Sequence, residues 1–284
     1  MKKQRRLVAL MVATVLLAGC ATETAHPVVT KSTSIPISGR QAPSGKLVWS
    51  DEFSGLAGAA PDSSNWSPNV GGQGWGNKQL EYDTANQNVY QDGQGHLVLE
   101  ARKDPHKGLH CWYGPCEYTS ARISTKGHYS FIYGYVESRI KIPAGQGFWP
   151  AFWLLGDNIS SVGWPACGEL DIMEIKGKEP SINYGAVHSP VELLKTYTLQ
   201  DSSFADSFHT FALHWTVSHL AFSVDGNIYA RLDKASLTDQ QKWVFDHPFN
   251  IILNLAVGGL FPENPDDTTA FPEKMQVDYI RVYS

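Results

Sequence analysis

The stretch Gly168-Glu169-Leu170-Asp171-Ile172-Met173-Glu174 places three carboxylates in an apolar run that contains no turn residue after its first glycine. Large and β-branched apolar side chains without an intervening turn predict a β-strand. Alternate residues of a strand share a face, so Glu169 and Asp171 point the same way while Leu170 and Ile172 point into a core. The segment therefore predicts a strand with one apolar and one acidic face.

Glu174 does not fit the simple alternation of this strand. It lies five positions after Glu169, which in a regular strand directs its side chain into the core. Burying a lone ionised carboxylate costs several kcal/mol, whereas one extra residue at Ile172-Met173 forms a β-bulge and restores the alternation. We therefore predict a bulge that returns Glu174 to the acidic face.

Three carboxylates on one face repel one another, which raises the pKa of at least one of them. Retaining glycosidases need this arrangement, since one carboxylate attacks the sugar and another donates a proton. A solvated acidic face and a divalent cation site built from carboxylate oxygens are the two other interpretations. The segment alone does not decide among the three.

A second informative stretch, residues 147–155, precedes the acidic strand. Trp149, Ala151 and Trp153 alternate onto one face of a strand. A single tryptophan there would fit a core position equally well, but two on one face favour a platform for the apolar faces of sugar rings.

Seven segments in chain order resemble those of glycoside hydrolase family 16, and within it the bacterial laminarinase-like endo-β-1,3-glucanases. They cover nearly all of residues 46–284. The segments are LVWSDEF at 47–53, GWGN at 74–77 followed by EY at 81–82, YTSAR at 118–122, WPAFW at 149–153, WPACGE at 164–169, NLAVGG at 254–259 and VDYIRVY at 277–283. The resemblance implies an all-β jelly-roll β-sandwich of two antiparallel sheets with a concave sugar-binding cleft. The E-x-D-x-x-E spacing is similar to the laminarinase, agarase and carrageenase branch, not to the lichenase branch.

The resemblance also implies roles for individual residues. Glu169 would be the nucleophile and Glu174 the acid/base, with Asp171 between them, in a double-displacement hydrolysis of internal β-1,3 or mixed β-1,3/1,4 glucosidic bonds. Catalysis would need no cofactor. The positions implied for substrate binding are Trp75, Asn77, Arg122, Trp149, Trp153, His188 and Asn254. For His188 and Asn254 a structural role is the alternative, and Arg122 equally fits a support for the carboxylates.

Members of this family commonly hold a structural calcium ion on the convex face. The matching positions are Glu52, the backbone carbonyl of Gly95, and Asp278, all of them hard oxygen donors suited to calcium. Their spacing does not prove a site, and Asp278 equally fits a cap at a strand end.

The N-terminus predicts export and anchoring. A basic start is followed by an apolar run from Leu7 to Ala18, which is shorter than the about 20 residues of a membrane span. The sequence LAGC ending at Cys20 resembles a bacterial lipoprotein cleavage box, with an ordinary secretory signal as the alternative. We therefore expect a signal peptide at 1–19, a lipidated Cys20 with a flexible tether at 20–45, and a catalytic domain at 46–284. Ala21 favours the outer membrane of the bacterial cell envelope.

Composition restricts the partners. A net charge of −5 and 12% aromatic residues argue against nucleic acid and fit a neutral β-glucan polysaccharide. We expect a monomer that contacts a membrane only through its lipid.

The remaining cysteines suggest one disulfide. Cys111 and Cys116 bracket a short loop carrying Trp112 and are able to pair in an oxidising compartment, although sequence does not fix the pairing. Cys167 is then expected to be a buried thiol behind the acidic strand. The cysteine loop is expected to tune one end of the cleft.

Other functions remain open on the same residues. An agarase or carrageenase would share the fold, a transglycosylase would share the retaining chemistry, and a non-catalytic glucan-binding lipoprotein would be a rival of another class. The presence of both glutamates argues against the last. The best candidate for a helix is the segment from Ala235 to Gln241.

Overall fold

Strands dominate the part of the chain that the computed structural model describes, which is residues 39–43, 45–103, 108–238 and 241–284. The expected signal peptide, Cys20 and most of the expected tether lie outside these residues. The strands are β1 Leu47–Asp51, β2 Ser67–Pro68, β3 Glu81–Asp83, β4 Val89–Gln91, β5 Leu97–Lys103, β6 His110–Cys111, β7 Gly114–Pro115, β8 Tyr118–Ser120, β9 Arg122–Ser124, β10 Gly134–Lys141, β11 Phe148–Gly156, β12 Glu169–Glu174, β13 Ile182–His188, β14 Leu193–Thr198, β15 His209–Trp215, β16 His219–Val224, β17 Asn227–Asp233, β18 Phe249–Val257 and β19 Glu273–Tyr283.

The strands form two large sheets. A ten-stranded sheet has the order β17-β16-β15-β10-β19-β5-β8-β3, with β1 also paired to β19 and β4 to β5. A seven-stranded sheet has the order β14-β13-β12-β11-β18-β9-β2. Neighbours are antiparallel except β3 and β8, which pair in parallel. The architecture confirms the predicted jelly-roll sandwich.

Strand alternation separates the core from the outer face of the seven-stranded sheet. In β11, Phe148, Phe152 and Leu154 are buried in the apolar core. The intervening Trp149 and Trp153 line a cleft on the other side. All nine residues of β18 are buried, because one face packs on the core and the other lies beneath the cleft. The seven-stranded sheet therefore carries the site.

The helix prediction was wrong. Within the described residues, the segment around Ala235 contains only a 3-10 turn, Lys234–Ser236, after which Leu237 is extended with ψ of 143°. The short α-helix α1 lies instead at Ile159–Val162, in the connection from β11 to β12. No helix in the described ranges is long and apolar enough to cross a membrane.

The three cysteines among the described residues are arranged as expected. Cys111 and Cys116 form a disulfide across the β6–β7 hairpin. Cys167 is a free, buried thiol just before β12. The side chain of Trp112, in the disulfide loop, donates from Nε1 to the carbonyl of Gln79 at 2.7 Å, which places the loop beside one end of the cleft.

Candidate active site

The acidic strand β12 carries the predicted bulge. Against β11, Asp171 pairs with Trp153 and Met173 with Phe152, so Ile172 has no partner in the ladder. The register against β13 shifts at the same place, between Asp171 and Glu174. Ile172 and Met173 are both fully buried, while Glu169, Asp171 and Glu174 all line the cleft. The extra residue therefore returns Glu174 to the acidic face.

A buried amide holds the bulge in place. Asn183 of β13 donates from Nδ2 to the carbonyl of Ile172 at 3.3 Å and to the hydroxyl of Tyr229 at 3.0 Å. Tyr229 reaches across from β17 of the other sheet. Gly185 makes room for it, because a Cβ there would lie 2.1 Å from the Tyr229 hydroxyl. A carbonyl left unpaired by a bulge would otherwise be costly in the interior.

The cleft over this face has a volume of about 630 Å³. All seven predicted substrate-binding residues line it: Trp75, Asn77, Arg122, Trp149, Trp153, His188 and Asn254. Residues that sequence reasoning did not assign also line it, among them Gln79, Trp164, Leu194 and Phe261. The structure therefore brings the predicted set together around the three carboxylates.

Glu174 lies in an environment that favours its protonated form. Burial, and then the charge of Glu169, raise the pKa of Glu174 to about 8. A hydrogen bond from Trp149 Nε1 to Glu174 Oε1, at 2.9 Å, opposes this shift only in part. Burial, more than the repulsion expected from the sequence, thus keeps this carboxyl protonated near neutral pH.

Glu169 has more groups that stabilise its charge. Burial raises the pKa of Glu169, but His188, a hydrogen bond from Trp164 and the guanidinium of Arg122 all act to lower it. Trp164 Nε1 donates to Glu169 Oε2 at 3.1 Å. Each glutamate accepts one indole N–H, but Arg122 and His188 act on Glu169, whereas the charge that acts on Glu174 is that of Glu169. Such a difference in environment is how paired carboxyl groups acquire different roles.

Asp171 is the most deeply buried of the three carboxyls, with 3% exposure. Burial, followed by the charges of Glu169 and Glu174, raises the pKa of Asp171 well above its usual value. Its Oδ2 has no hydrogen-bond partner of good geometry among the described residues, although His188 Nε2 lies 3.4 Å away. The charges of Asp171 and His188 therefore depend on which of the two groups carries the proton between them.

Arg122 occupies the floor of the cleft. Its guanidinium lies over the rings of Trp75 and Trp153, 4.4 Å and 4.8 Å from their centroids. Its charge also acts on the buried carboxyls of Glu81 and Asp83 from β3. The Arg122 guanidinium therefore stacks on two aromatic rings and at the same time stabilises the charge of nearby buried carboxyls. A contact between Arg122 and sugar hydroxyls remains a prediction.

Comparisons with known proteins agree with this geometry. A family model described as glycosyl hydrolases family 16 matches residues 76–281. The chain belongs to glycosyl hydrolase family 16. It is 41% identical over 258 residues to a β-glucanase of Rhodothermus marinus, with 86% of each chain covered. The protein is therefore a glycoside hydrolase.

Two solved structures have the same fold as this family 16 hydrolase. The catalytic domain of an endo-1,3-β-glucanase (laminarinase) from Thermotoga petrophila is 42% identical, with a TM-score of 0.79 and coverage of 86% of this chain and 99% of that one. The endo-β-1,3-glucanase of Pyrococcus furiosus is 44% identical, with a TM-score of 0.79 and coverage of 85% and 95%. Both likenesses extend over nearly the whole β-sandwich.

The two tryptophans predicted as a sugar platform have more specific contacts in this family 16 hydrolase. Trp149 is 7% exposed, and its indole N–H donates a hydrogen bond to Glu174. Trp153 donates from Nε1 to Oδ1 of Asn254 at 2.8 Å, which gives Asn254 a structural hydrogen bond. Trp164, in contrast, is 57% exposed beside Glu169 and offers an open aromatic surface. It lies in the WPACGE motif, and the sequence alone predicts no role for it.

Two of the three predicted calcium ligands in this family 16 hydrolase, the carboxylates of Glu52 and Asp278, are paired with arginines. Both oxygens of Glu52 accept hydrogen bonds from Arg281, at 2.9 Å and 2.8 Å. Asp278 accepts from Arg139 at 2.5 Å. Calcium would have to displace a cation from each carboxylate, so this arrangement gives the prediction no support. Calcium stays a prediction, which an unchanged Tm on adding calcium after chelation would contradict.

Proposed function

We propose that this hydrolase cleaves internal β-1,3-glucosidic bonds of laminarin-like glucans, including mixed β-1,3/1,4 chains, with retention of configuration. The observation that carries the proposal is the bulge in β12, which sets Glu169 and Glu174 on one face of the cleft in different electrostatic environments. The β-1,3-glucanases that share this fold at 42% and 44% identity support the substrate class.

In the first step, ionised Glu169 attacks the anomeric carbon while Glu174 transfers its proton to the departing glycosidic oxygen. The bond from sugar to leaving group breaks as the ester to Glu169 forms. Asp171 lies between the two on the same face, where burial and then the charges of Glu169 and Glu174 raise its own pKa. Trp149 orients the Glu174 carboxyl through its indole N–H.

In the second step, formation of the ester removes the charge of Glu169. The pKa of Glu174 falls, because that charge was one of the causes that raised it. Glu174 then takes a proton from water, which attacks the same carbon and releases Glu169 as a carboxylate. The same carboxyl thus acts as acid and then as base.

The substrate proposal is tested by separating the products formed from laminarin, lichenan, agarose and κ-carrageenan. We expect oligosaccharides of intermediate length from laminarin early in the reaction, slower or equal release from lichenan, and none from the galactans. Cleavage of the galactans alone would contradict the proposal, and single glucose units as the first product would contradict internal cleavage.

We also propose that the catalytic domain, from about residue 46 onward, acts as a monomer held in the bacterial envelope by lipid on Cys20. The LAGC sequence and the preceding apolar run support this location. Cys20→Ala is expected to move the protein from the membrane fraction of the native host into a soluble fraction. Continued association of the variant with the membrane would contradict the anchor.

A further inference from the structure

A second carboxylate holds the histidine that faces Asp171. His188 ends β13 and lies opposite Glu169 in the ladder with β12. Its Nε2 lies 3.4 Å from Asp171 Oδ2, and its Nδ1 lies 2.8 Å from Glu192 Oε2. The imidazole thus bridges a buried carboxyl at the centre of the site and a half-exposed one at its edge.

The turn that carries Glu192 is fixed by its own hydrogen bonds. Ser189 Oγ donates to the carbonyl of Val191 at 2.6 Å and accepts from the Val191 amide at 2.9 Å. Both residues are buried. Glu192 therefore approaches His188 from an anchored position between β13 and β14.

The bond to Glu192 determines which nitrogen of His188 carries a proton. An ionised carboxylate only accepts hydrogen bonds, so Nδ1 must donate to Glu192 in both the neutral and the charged forms of the ring. Two arrangements then satisfy Nε2 and Asp171: a charged imidazole beside ionised Asp171, or a neutral imidazole accepting from protonated Asp171. In both, Asp171 and His188 together have a net charge of zero.

Without Glu192, a third arrangement opens. Neutral His188 protonated only on Nε2 would donate to ionised Asp171, and the two residues would together carry one negative charge next to Glu169. Glu192 excludes this state, because the bare Nδ1 lone pair would then face its carboxylate. We propose that Glu192 is a positioning residue that keeps the Asp171 and His188 pair electrically neutral and so spares Glu169 an additional adjacent negative charge.

The charged groups around the pair are consistent with this role. Glu169 and Glu174 lie on the same strand as Asp171, and Arg122 acts on Glu169 from β9. Trp164, which packs near the imidazole with ring centroids 5.9 Å apart, is uncharged. Of these groups, Glu192 is the one that contacts Nδ1.

Glu192→Gln distinguishes this role from the direct field of Glu192 on Glu169. The direct field of Glu192 raises the pKa of Glu169, so loss of that field alone would move the acidic limb of the kcat/KM profile to lower pH. Loss of the positioning role instead lets the Asp171 and His188 pair carry a net negative charge beside Glu169, and we expect the acidic limb to move to higher pH by about half a unit. Glu192→Asp, which keeps the charge, should move the limb less, and the exposed Glu117→Gln should leave it unchanged.

Nitrogen-15 NMR of the His188 ring provides the direct readout. We expect Nδ1 protonation in the wild type and the Nε2-protonated neutral form in Glu192→Gln. An acidic limb that stays in place or moves to lower pH, or a ring that keeps its proton on Nδ1, would overturn the proposal. The kinetic part rests on the proposed glucanase function. If the wild type released nothing from glucans, that function would fail, whereas the NMR measurement would still decide the role of Glu192.

Discussion

Glu169→Gln is expected to lower kcat on laminarin by on the order of 10⁴-fold or more, with little change in affinity for the glucan. The amide oxygen is too weak a nucleophile to form the glycosyl ester. The amide has nearly the same shape, and its oxygen still accepts from Trp164, whose Nε1 lies 3.1 Å from the native carboxylate. Steady-state kinetics measure kcat, and calorimetric titration with a β-1,3-gluco-oligosaccharide measures the affinity.

Glu117→Gln is the matched control for this variant, because Glu117 is exposed and does not line the cleft. Its kcat should equal that of the wild type. A Glu169→Gln variant that keeps turnover within about a hundredfold of the wild type would show that another group attacks the sugar. Asp171, two positions along the same face, would then be the candidate.

Glu174→Gln is expected to lower kcat/KM on laminarin by about 10²- to 10⁴-fold, the usual contribution of a positioned proton donor. The expected pH dependence is equally specific. Because burial and Glu169 raise the pKa of Glu174 to about 8, the wild type holds the catalytic proton below that pH and loses activity as the pH rises through it. The variant has no such group to titrate, so its residual activity should lack this alkaline limb.

An activated substrate isolates the step that Glu174 assists. In an aryl β-laminaribioside with a good leaving group, the departing phenolate needs no proton from the enzyme. Glu174→Gln should therefore form the glycosyl ester rapidly and hydrolyse it slowly. A burst of phenolate followed by slow turnover is the expected signal. An unchanged alkaline limb in the variant, or an equal loss of rate in ester formation, would remove Glu174 from the acid/base role.

The acidic strand and its bulge could be predicted because their causes are local. Strand alternation puts Glu169 and Asp171 on the same face. Burying the unpaired carboxylate of Glu174 would be costly, which requires one extra residue between Asp171 and Glu174. The structure confirms the bulge and assigns the extra position to Ile172. The predicted cleft residues also converged, since the family motifs that contain most of them end up on β9, β11 and β18 of one sheet.

The residues that hold the site residues in place could not be predicted, because they are distant from them in sequence. Asn183 donates to the Ile172 carbonyl and to the hydroxyl of Tyr229 from the other sheet, and nothing in the GELDIME stretch indicates either residue. The buried carboxyls beside Arg122 depend on the short parallel pairing of β3 with β8. Such pairings arise from the packing of the whole sandwich.

Trp149 lines the cleft and donates its indole N–H to Glu174, so contact of its ring with sugar stays a prediction. One error has an identifiable physical cause. The helix expected at Ala235 does not continue past a single 3-10 turn, because Leu237 is extended. Local propensity is a weak guide to such a segment, because tertiary context routinely overrides it.

The anomeric configuration of the first product tests the central claim most directly. Proton NMR spectra recorded within seconds of adding enzyme to laminarin distinguish the two forms of the new reducing end before they interconvert. The bulge and the two glutamates on one face predict the β form, produced by two inversions at the same carbon. Initial formation of the α form would mean a single displacement by water and would contradict the roles given to Glu169 and Glu174.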